Sequence, residues 1–511
     1  MLFHYKKQSY SLLSALWLLS VAVSMNSCKK LVDVGEPVNT ITTEQVFTSD
    51  AHANSAIAAL YSQLMTNNGS MVFSNGDLTI YAGLSSDELV NSSGTNNTMD
   101  YQFFTNTLYA YNTVVYGNLW QPAYKVIYGA NDAIAGIAAS TASALDDSTR
   151  TELTGEAKFI RAFCYFYLTG LFGDVPMPLV TDFNQTALMS RTPQADVYKQ
   201  IVQDLKDAQS TLPADYSVGL GERIRANKWA ATALLARVYL YQQDWADAET
   251  QADSVIGNSQ FSLTASLGNV FLMNSTETIL QWKPNNTVSP YNATWEGTKF
   301  IPPFRWSTFD PITQATLLAF PSFYALDASQ LIPAYYLSTP YMTAFEPGDK
   351  RKKIWTDSVA TPSAAPYNGV PYFFPVKYTV NPGLSGGAVT QYYMVLRLAE
   401  QYLIRAEARA QQGTNLSGAA SDLNMLRSRA GLAGTTAATQ ADLLTAVAHE
   451  RQVELFAEWG HRWLDLKRTG QANTVLGALA SKQPWSGNAL LYPIPASDII
   501  SDPNLIQNPG Y

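Results

Sequence analysis

The stretch that decides the fold lies close to the C-terminus: Glu450-Arg-Gln-Val-Glu-Leu-Phe-Ala-Glu-Trp-Gly-His-Arg-Trp-Leu-Asp-Leu-Lys-Arg468. Val453, Phe456 and Ala457 recur at helical spacing, and Gly460 offers the left-handed residue that can close a helix. A second short helical run carries Trp463, Leu464 and Leu466 towards Gly470. Glu454 and Glu458 stand four apart on one helix face, where like charges repel. Arg451 lies at helical distance from that face, and Arg462 is within reach of it. The spacing predicts a Glu–Arg network packed under Trp459 and Trp463. The alternative is a catalytic carboxylate pair with His461, for which no nucleophile or metal-ligand partner lies at a readable spacing.

Outward from that hub, 511 residues are enough for a large core, as two domains or one repeat-built unit. Charged residues make up 14% of the chain and hydrophobic ones 47%, so much of the surface must be neutral and polar. Thirty-three Lys and Arg stand against 41 Asp and Glu. With no basic stripe to neutralise phosphates, nucleic acid is excluded as a partner, and so is broad docking on an anionic membrane. Four histidines occur, His4, His52, His449 and His461, with none at zinc spacing; no metal site and no cofactor is predicted.

Residues 1–27 read as a signal peptide. Lys6 and Lys7 precede an apolar run, Leu12 to Val23, that is too short to span a bilayer. Its removal deletes only those two charges and moves the net charge from −8 to −10. Ser24-Met-Asn-Ser-Cys28 resembles a lipobox, with Met25 where Leu is usual and Asn26 where a small residue is common. Acylation of Cys28 with more than one chain would anchor the mature protein stably. Ordinary secretion with an incidental Cys is the other reading. Cys164, the only other cysteine, sits in an aromatic helix and reads as a small buried hydrophobe.

After a leash over 28–42, Thr43 to Leu64 reads as a helix capped by Ser49 or Asp50, with Ala53, Ile57, Leu60 and Leu64 on one face. Leu153 to Phe172 is apolar nearly all round, as a helix inside a large core must be, and Gly173 stops it. Two segments then match each other. Trp229, Ala233, Ala236 and Leu240 fall at the same offsets as Ala399, Leu403, Ala406 and Ala410, and each run precedes a short turn and a second Ala-rich helix. Small residues facing small residues let antiparallel helices approach closely, the packing logic of tetratricopeptide-type pairs. The fold class predicted is mainly α, with such pairs as a scaffold over 43–280 and 392–511.

Residues 281–391 break that pattern. Lys283 to Gln391 holds 14 of the 25 prolines, which forbids long helices and confines strands to short pieces. Yet Gln281 to Asp310 carries seven aromatics, where a disordered linker would carry few. An ordered, irregular insert laid on a rigid frame is where binding groups usually reside.

Several segments resemble the SusD/RagB family of surface nutrient-binding lipoproteins. They are Glu156–Leu179 with Arg161-Ala-Phe and Gly173-Asp-Val-Pro, Ala233–Tyr241, Leu398–Glu407, Leu423–Leu432, the Glu450–Arg468 hub, and Pro493-Ile-Pro with Gln507–Tyr511. The resemblance implies a helical scaffold with an inserted ligand-binding half. It also implies attachment to the outer membrane through Cys28, and a SusC-like TonB-dependent transporter as partner. The cargo it implies is an oligosaccharide or, in some members, a peptide. The matching motifs are scaffold and name no cargo.

Sugar rings offer C–H faces that stack on aromatics and hydroxyls that need paired donors and acceptors. Trp282, Tyr291, Trp295 and Trp306, interleaved with Asn285, Asn286 and Asn292, fit that need, with Tyr101 as an opposing wall. The competing reading makes these rings the insert's own small core. Two other functions stay open: a glycoside hydrolase, which needs two facing carboxylates such as Asp87-Glu88 or Glu454/Glu458, and a scaffold that binds peptide or protein on its helix faces.

Overall fold

A computed structural model describes residues 46–66, 69–302, 306–319, 332–363, 365 and 368–511. The signal peptide, Cys28 and the leash lie outside the described residues. Helix α1 (Asp50–Met65) starts one residue after Ser49, whose hydroxyl accepts the His52 N–H, and it buries Ala53, Ile57, Leu60 and Leu64. The chain continues through α2 (Asp77–Ser85), β1 (Leu89–Asn91) and α3 (Thr98–Thr105). A π-helical turn, Val115–Trp120, leads directly into α4 (Gln121–Ala139).

The centre of the core is α5 (Asp147–Phe172), which buries Phe159, Phe163, Cys164 and Phe166 on several sides and ends at Gly173. Each such ring contributes about 1.5–3 kcal/mol by leaving water. Around it stack α4 and α6 (Gln194–Thr211), then α7 (Lys228–Gln242) and α8 (Trp245–Ile256). Buried ion pairs fix the layers: Arg161 donates to both Asp204 oxygens at 2.7 and 2.8 Å.

The insert leaves the frame at β2 (Thr278–Trp282), passes through α9 (Trp295–Phe300), β3 (Tyr335–Leu337), β4 (Thr356–Val359) and β5 (Tyr372–Pro375), and returns at β6 (Tyr393–Arg397). Among the described residues its strands, together with β1, form three two-stranded antiparallel ribbons, short as the proline density requires. β2 pairs with β6, placing Trp282 opposite Tyr393, so the insert is clamped at its base. β1 pairs with β3, tying its middle to the N-terminal helices.

The frame then resumes with α10 (Leu398–Gln412), α11 (Leu416–Arg429), α12 (Gln440–Glu454) and α13 (His461–Arg468). α10 packs on both α8 and α11, so the two matched helix pairs lie side by side. Ala399, Leu403, Ala406 and Ala410 are fully buried against Ala419 and Leu423. Arg237 of α7 donates to both oxygens of Glu400 on α10, at 2.6 Å each. After α14 (Ala496–Ser501) the tail is pinned as a strap, with Arg191 donating to the Ile506 carbonyl and to Asn508.

The predicted network exists, but different arginines build it. Glu454 accepts from Arg397 at 2.7 Å and Arg351 at 3.0 Å, and also from Arg429. Glu458 accepts from Arg397 at 2.8 and 2.9 Å and from Lys377 at 2.5 Å. Arg451 turns instead to Asp465, and Arg462 to Asp87. Helical spacing along one segment could not reveal partners supplied by the insert and by β6. The helix also stops at Glu454 rather than at Gly460. Ala457 and Trp459 adopt left-handed conformations, and their N–H groups are taken by Glu88 and Thr79. Gly460 (φ 65°) opens the next helix, and a Cβ there would stand 2.5 Å from that of Ala82. Every oxygen of the pair is held by a cation, which leaves no free acid or base for His461 to work with.

These cations hold Glu454 and Glu458, and Arg451 with Arg468 hold Asp465, below the ordinary carboxylate range despite burial. Their contribution is complete above the unfolded-chain value near 4.3 and is lost as pH falls below it. Denaturant melts should therefore show stability dropping steeply below about pH 4. Glu454→Gln should cost about 3–5 kcal/mol at pH 7, because it leaves three cations short of a buried partner.

Candidate ligand-binding site

The predicted rings separate according to how their segments meet the helical frame. Trp282 is 1% exposed, with Phe163 at 5.0 Å and Trp459 at 5.3 Å, so it is a core residue and cannot offer a face for stacking. Tyr291 is half-buried and left-handed (φ 62°) in the loop that follows. Trp295 is half-buried at the first position of α9, which Thr294 caps, and the Lys299 ammonium lies 5.5 Å from its ring centroid. Trp306 opens a short 3-10 turn, and its side chain lies outside the described residues. Tyr101, on α3, is half-buried with its ring 6.1 Å from that of Phe104.

Two features flank this segment. Between α1 and the loop after β2 lies a cavity of about 280 Å³, walled by Ser62, Met65 and Thr66 on one side and by Asn285, Val288 and Pro290 on the other. Asn75 and Trp282 also line it. The Asn75 side-chain amide oxygen and the Trp282 indole N–H have no hydrogen-bond partner among the described residues, one an acceptor and the other a donor. The turn 69–76 runs along the insert: a Cβ on Gly76 (φ 99°) would stand 2.8 Å from that of Trp295. Only glycine permits that approach.

Beyond Trp295 three acids are buried together. Asp77 accepts from Asn118 of the π-helical turn at 3.0 Å, while its other oxygen has no partner. Asp100 accepts from Asn91 at 2.8 Å and from Tyr335 at 2.6 Å. Burial raises both pKa values, and the Lys299 charge eases each. Glu296 is pushed up to about 7 by burial, with the Tyr393 and Thr79 hydroxyls partly offsetting the rise. Asp77, Asp100 and Glu296 are each 2% exposed or less, so these acceptors belong to the interior beneath the insert and are not open to a ligand's hydroxyls.

Sequence reasoning missed the α1 wall, Asp77, Asn118 and Lys299. The one available signal was Asp77, a charge set in the apolar run Leu78-Thr-Ile-Tyr-Ala-Gly-Leu84. π-Helical turns like the one carrying Asn118 often sit at functional sites, but nothing in composition announces them. Among the described residues no group of three His, Cys, Asp or Glu is placed to hold a metal, and no helix is long and apolar enough to cross a membrane.

A stacked-helix frame bearing a ring-lined, loop-built insert is the build of a binding scaffold. Residues 241–511 match the SusD family, and residues 39–240 match a family described as starch-binding and associating with the outer membrane. The chain belongs to the SusD family. It is 28% identical to SusD-like protein P2 of Formosa agariphila, over 77% of this chain and 80% of that one. It is 26% identical to the starch-binding protein SusD of Bacteroides thetaiotaomicron, over 72% and 74%. Among solved structures, a laminarin-binding SusD-like protein superposes with a TM-score of 0.72 at 24% identity, covering 91% of this chain and all of the other. Surface glycan-binding protein A of Bacteroides thetaiotaomicron, in complex with laminarihexaose, gives 0.71 at 21% identity, over 90% of this chain and all of the other.

The raised Glu296 pKa makes a sign-specific prediction. A folded-state value above the unfolded one means that stability falls as pH rises from about 4.3 to about 7 and then levels. Glu296→Gln should match the wild type at pH 4 and exceed it at pH 8, by at most about 4 kcal/mol. Urea titrations at the two pH values measure the difference.

Proposed function

We propose that this protein captures oligosaccharide at the outer-membrane surface and passes it to a SusC-like TonB-dependent transporter, held there by acylated Cys28. The insert over 281–391 is the ligand-binding region, and Trp295, Tyr291, Trp306 and Tyr101 are the rings that contact sugar. The observation that carries this reading is the half-buried Trp295 ring, with the Lys299 ammonium 5.5 Å from its centroid, two residues beyond Ala293 on the wall of the cavity between α1 and the loop after β2. An aromatic face beside fixed donors and acceptors is what a sugar ring requires. Family membership supports it, as do two relatives and neighbours whose names state starch or laminarin binding. The protein acts as a carrier rather than a hydrolase. Glu454 and Glu458 are consumed in ion pairs, Asp87 is paired with Arg462, and Glu88 accepts a backbone N–H, so neither pair predicted from sequence faces an open site.

Titration calorimetry against a panel of glucans, other glycans and oligopeptides should give saturable binding to one glycan class, with no product on chromatography. Trp295→Ala should weaken that binding tenfold or more, about 1.4 kcal/mol, with a melting temperature within a few degrees of wild type. Unchanged affinity in the folded variant would remove Trp295 from the site. Separately, Cys28→Ala should abolish labelling by radioactive palmitate and release the protein from the membrane fraction.

A further inference from the structure

The cavity beside the insert does not end there. Thr66, on its wall, also lines a neighbouring trough of about 550 Å³ that runs over Gln63, Gln121, Tyr124 and Lys125. Gln121 and Tyr124 in turn line a third cleft, of about 280 Å³, that reaches the C-terminal strap. Thr66 is common to the first two hollows and Gln121 and Tyr124 to the last two, so the three lie in succession from the loop after β2, past α1 and α4, to α14.

The far cleft is built rather than incidental. Four separated segments converge on it and are tied together around it. Trp120 donates its indole N–H to Asp498 at 2.6 Å, which fixes α14. Tyr124 donates to the Pro176 carbonyl at 2.7 Å, and Asn504 to the Leu188 carbonyl at 2.8 Å. Gln121 donates to the Tyr116 hydroxyl at 3.1 Å across the mouth. Its lining alternates rings and apolar groups, Tyr116, Tyr124 and Met189, with Thr186, Ser501 and Asp502. Phe183 and Ile500, each about three-quarters exposed, lie in the same segments. Along the trough, the shielded Gln63 side-chain oxygen has no partner. Aromatic surface interleaved with hydroxyl, amide and carboxylate groups is chemistry suited to a sugar ring.

We infer that this far cleft is a second glycan subsite, joined to the first through the trough, and that the protein therefore prefers a polymer chain to a short oligosaccharide. The inference rests on the glycan reading above. Occupying two linked subsites makes the second contact intramolecular, so affinity rises with chain length until both are reached.

The test uses the whole mature protein and two probes from the glycan class that binds in the panel, a trisaccharide and the parent polysaccharide. Wild type should bind the polysaccharide at least tenfold more tightly per binding unit. Tyr116→Ala trims the cleft, and Ala187→Trp fills it from its half-buried wall. Both should lower polysaccharide affinity five- to tenfold and leave trisaccharide affinity within twofold, with unchanged circular dichroism. Ala187→Trp adds bulk without removing a contact, so it covers the case in which Tyr116→Ala folds poorly. Polysaccharide binding equal to wild type in a folded Ala187→Trp protein would overturn the inference and leave the Trp295 site standing. If no glycan in the panel binds to wild type, the glycan reading fails and this inference falls with it.

Discussion

Everything else in the structure depends on a set of charges buried where the insert meets the frame. Glu454 and Glu458 are almost completely enclosed, as are Arg351, Lys377 and Arg397. Taking such groups out of water costs several kcal/mol each, and the cost is offset only when geometry is good and the charges are met by partners. Here they are. Arg397 spans Glu277, Glu454 and Glu458, Arg429 bridges Glu277 and Glu454, and Arg351 joins Asp349, Glu450 and Glu454. Lys377 lies 4.1 Å from the Phe456 ring centroid and 4.6 Å from that of Trp355, adding cation–π attraction in a dry setting.

The partners come from β2's approach, from the insert, from β6 and from α11 and α12. None of these segments can shift without stranding a charge, so the network sets where the insert enters and leaves. That constraint lets the insert be irregular elsewhere. With its base clamped by β2 and β6 and its charges locked below, its loops can carry prolines, a left-handed Tyr291 and short ribbons without losing their place. It also explains why Trp282 belongs to the core, since it is the last residue of the clamping strand and its ring is packed by Phe163 and Trp459.

Hub and insert differ in how their carboxylates are met. At the hub each carboxylate oxygen of Glu454 and Glu458 has a cation, although Arg429 Nε, both terminal nitrogens of Arg451 and the Trp463 indole have no partner among the described residues. Near Trp295 an oxygen of Asp77, the Asn75 side-chain amide oxygen and two indole N–H groups lack partners among the described residues, and burial raises Glu296 to about 7. Buried polar groups left unsatisfied are costly wherever they occur.

The sequence by itself determined the frame. Period-3.6 stripes, the Ser49 cap, the Gly173 stop and the matched offsets of Ala233 and Ala399 are local signals, because a helix is specified by neighbours three and four residues away. It also marked 281–391 as ordered but irregular, through prolines and aromatics in one span. Composition could not say which of those rings would be enclosed. Only the tertiary structure decided that Trp282 faces inward and Trp295 lies half open, that Arg397 rather than Arg451 meets Glu454, and that α1 and the loop after β2 enclose a cavity. Those outcomes depend on contacts between residues far apart in the chain, and such contacts leave no period in the sequence to read.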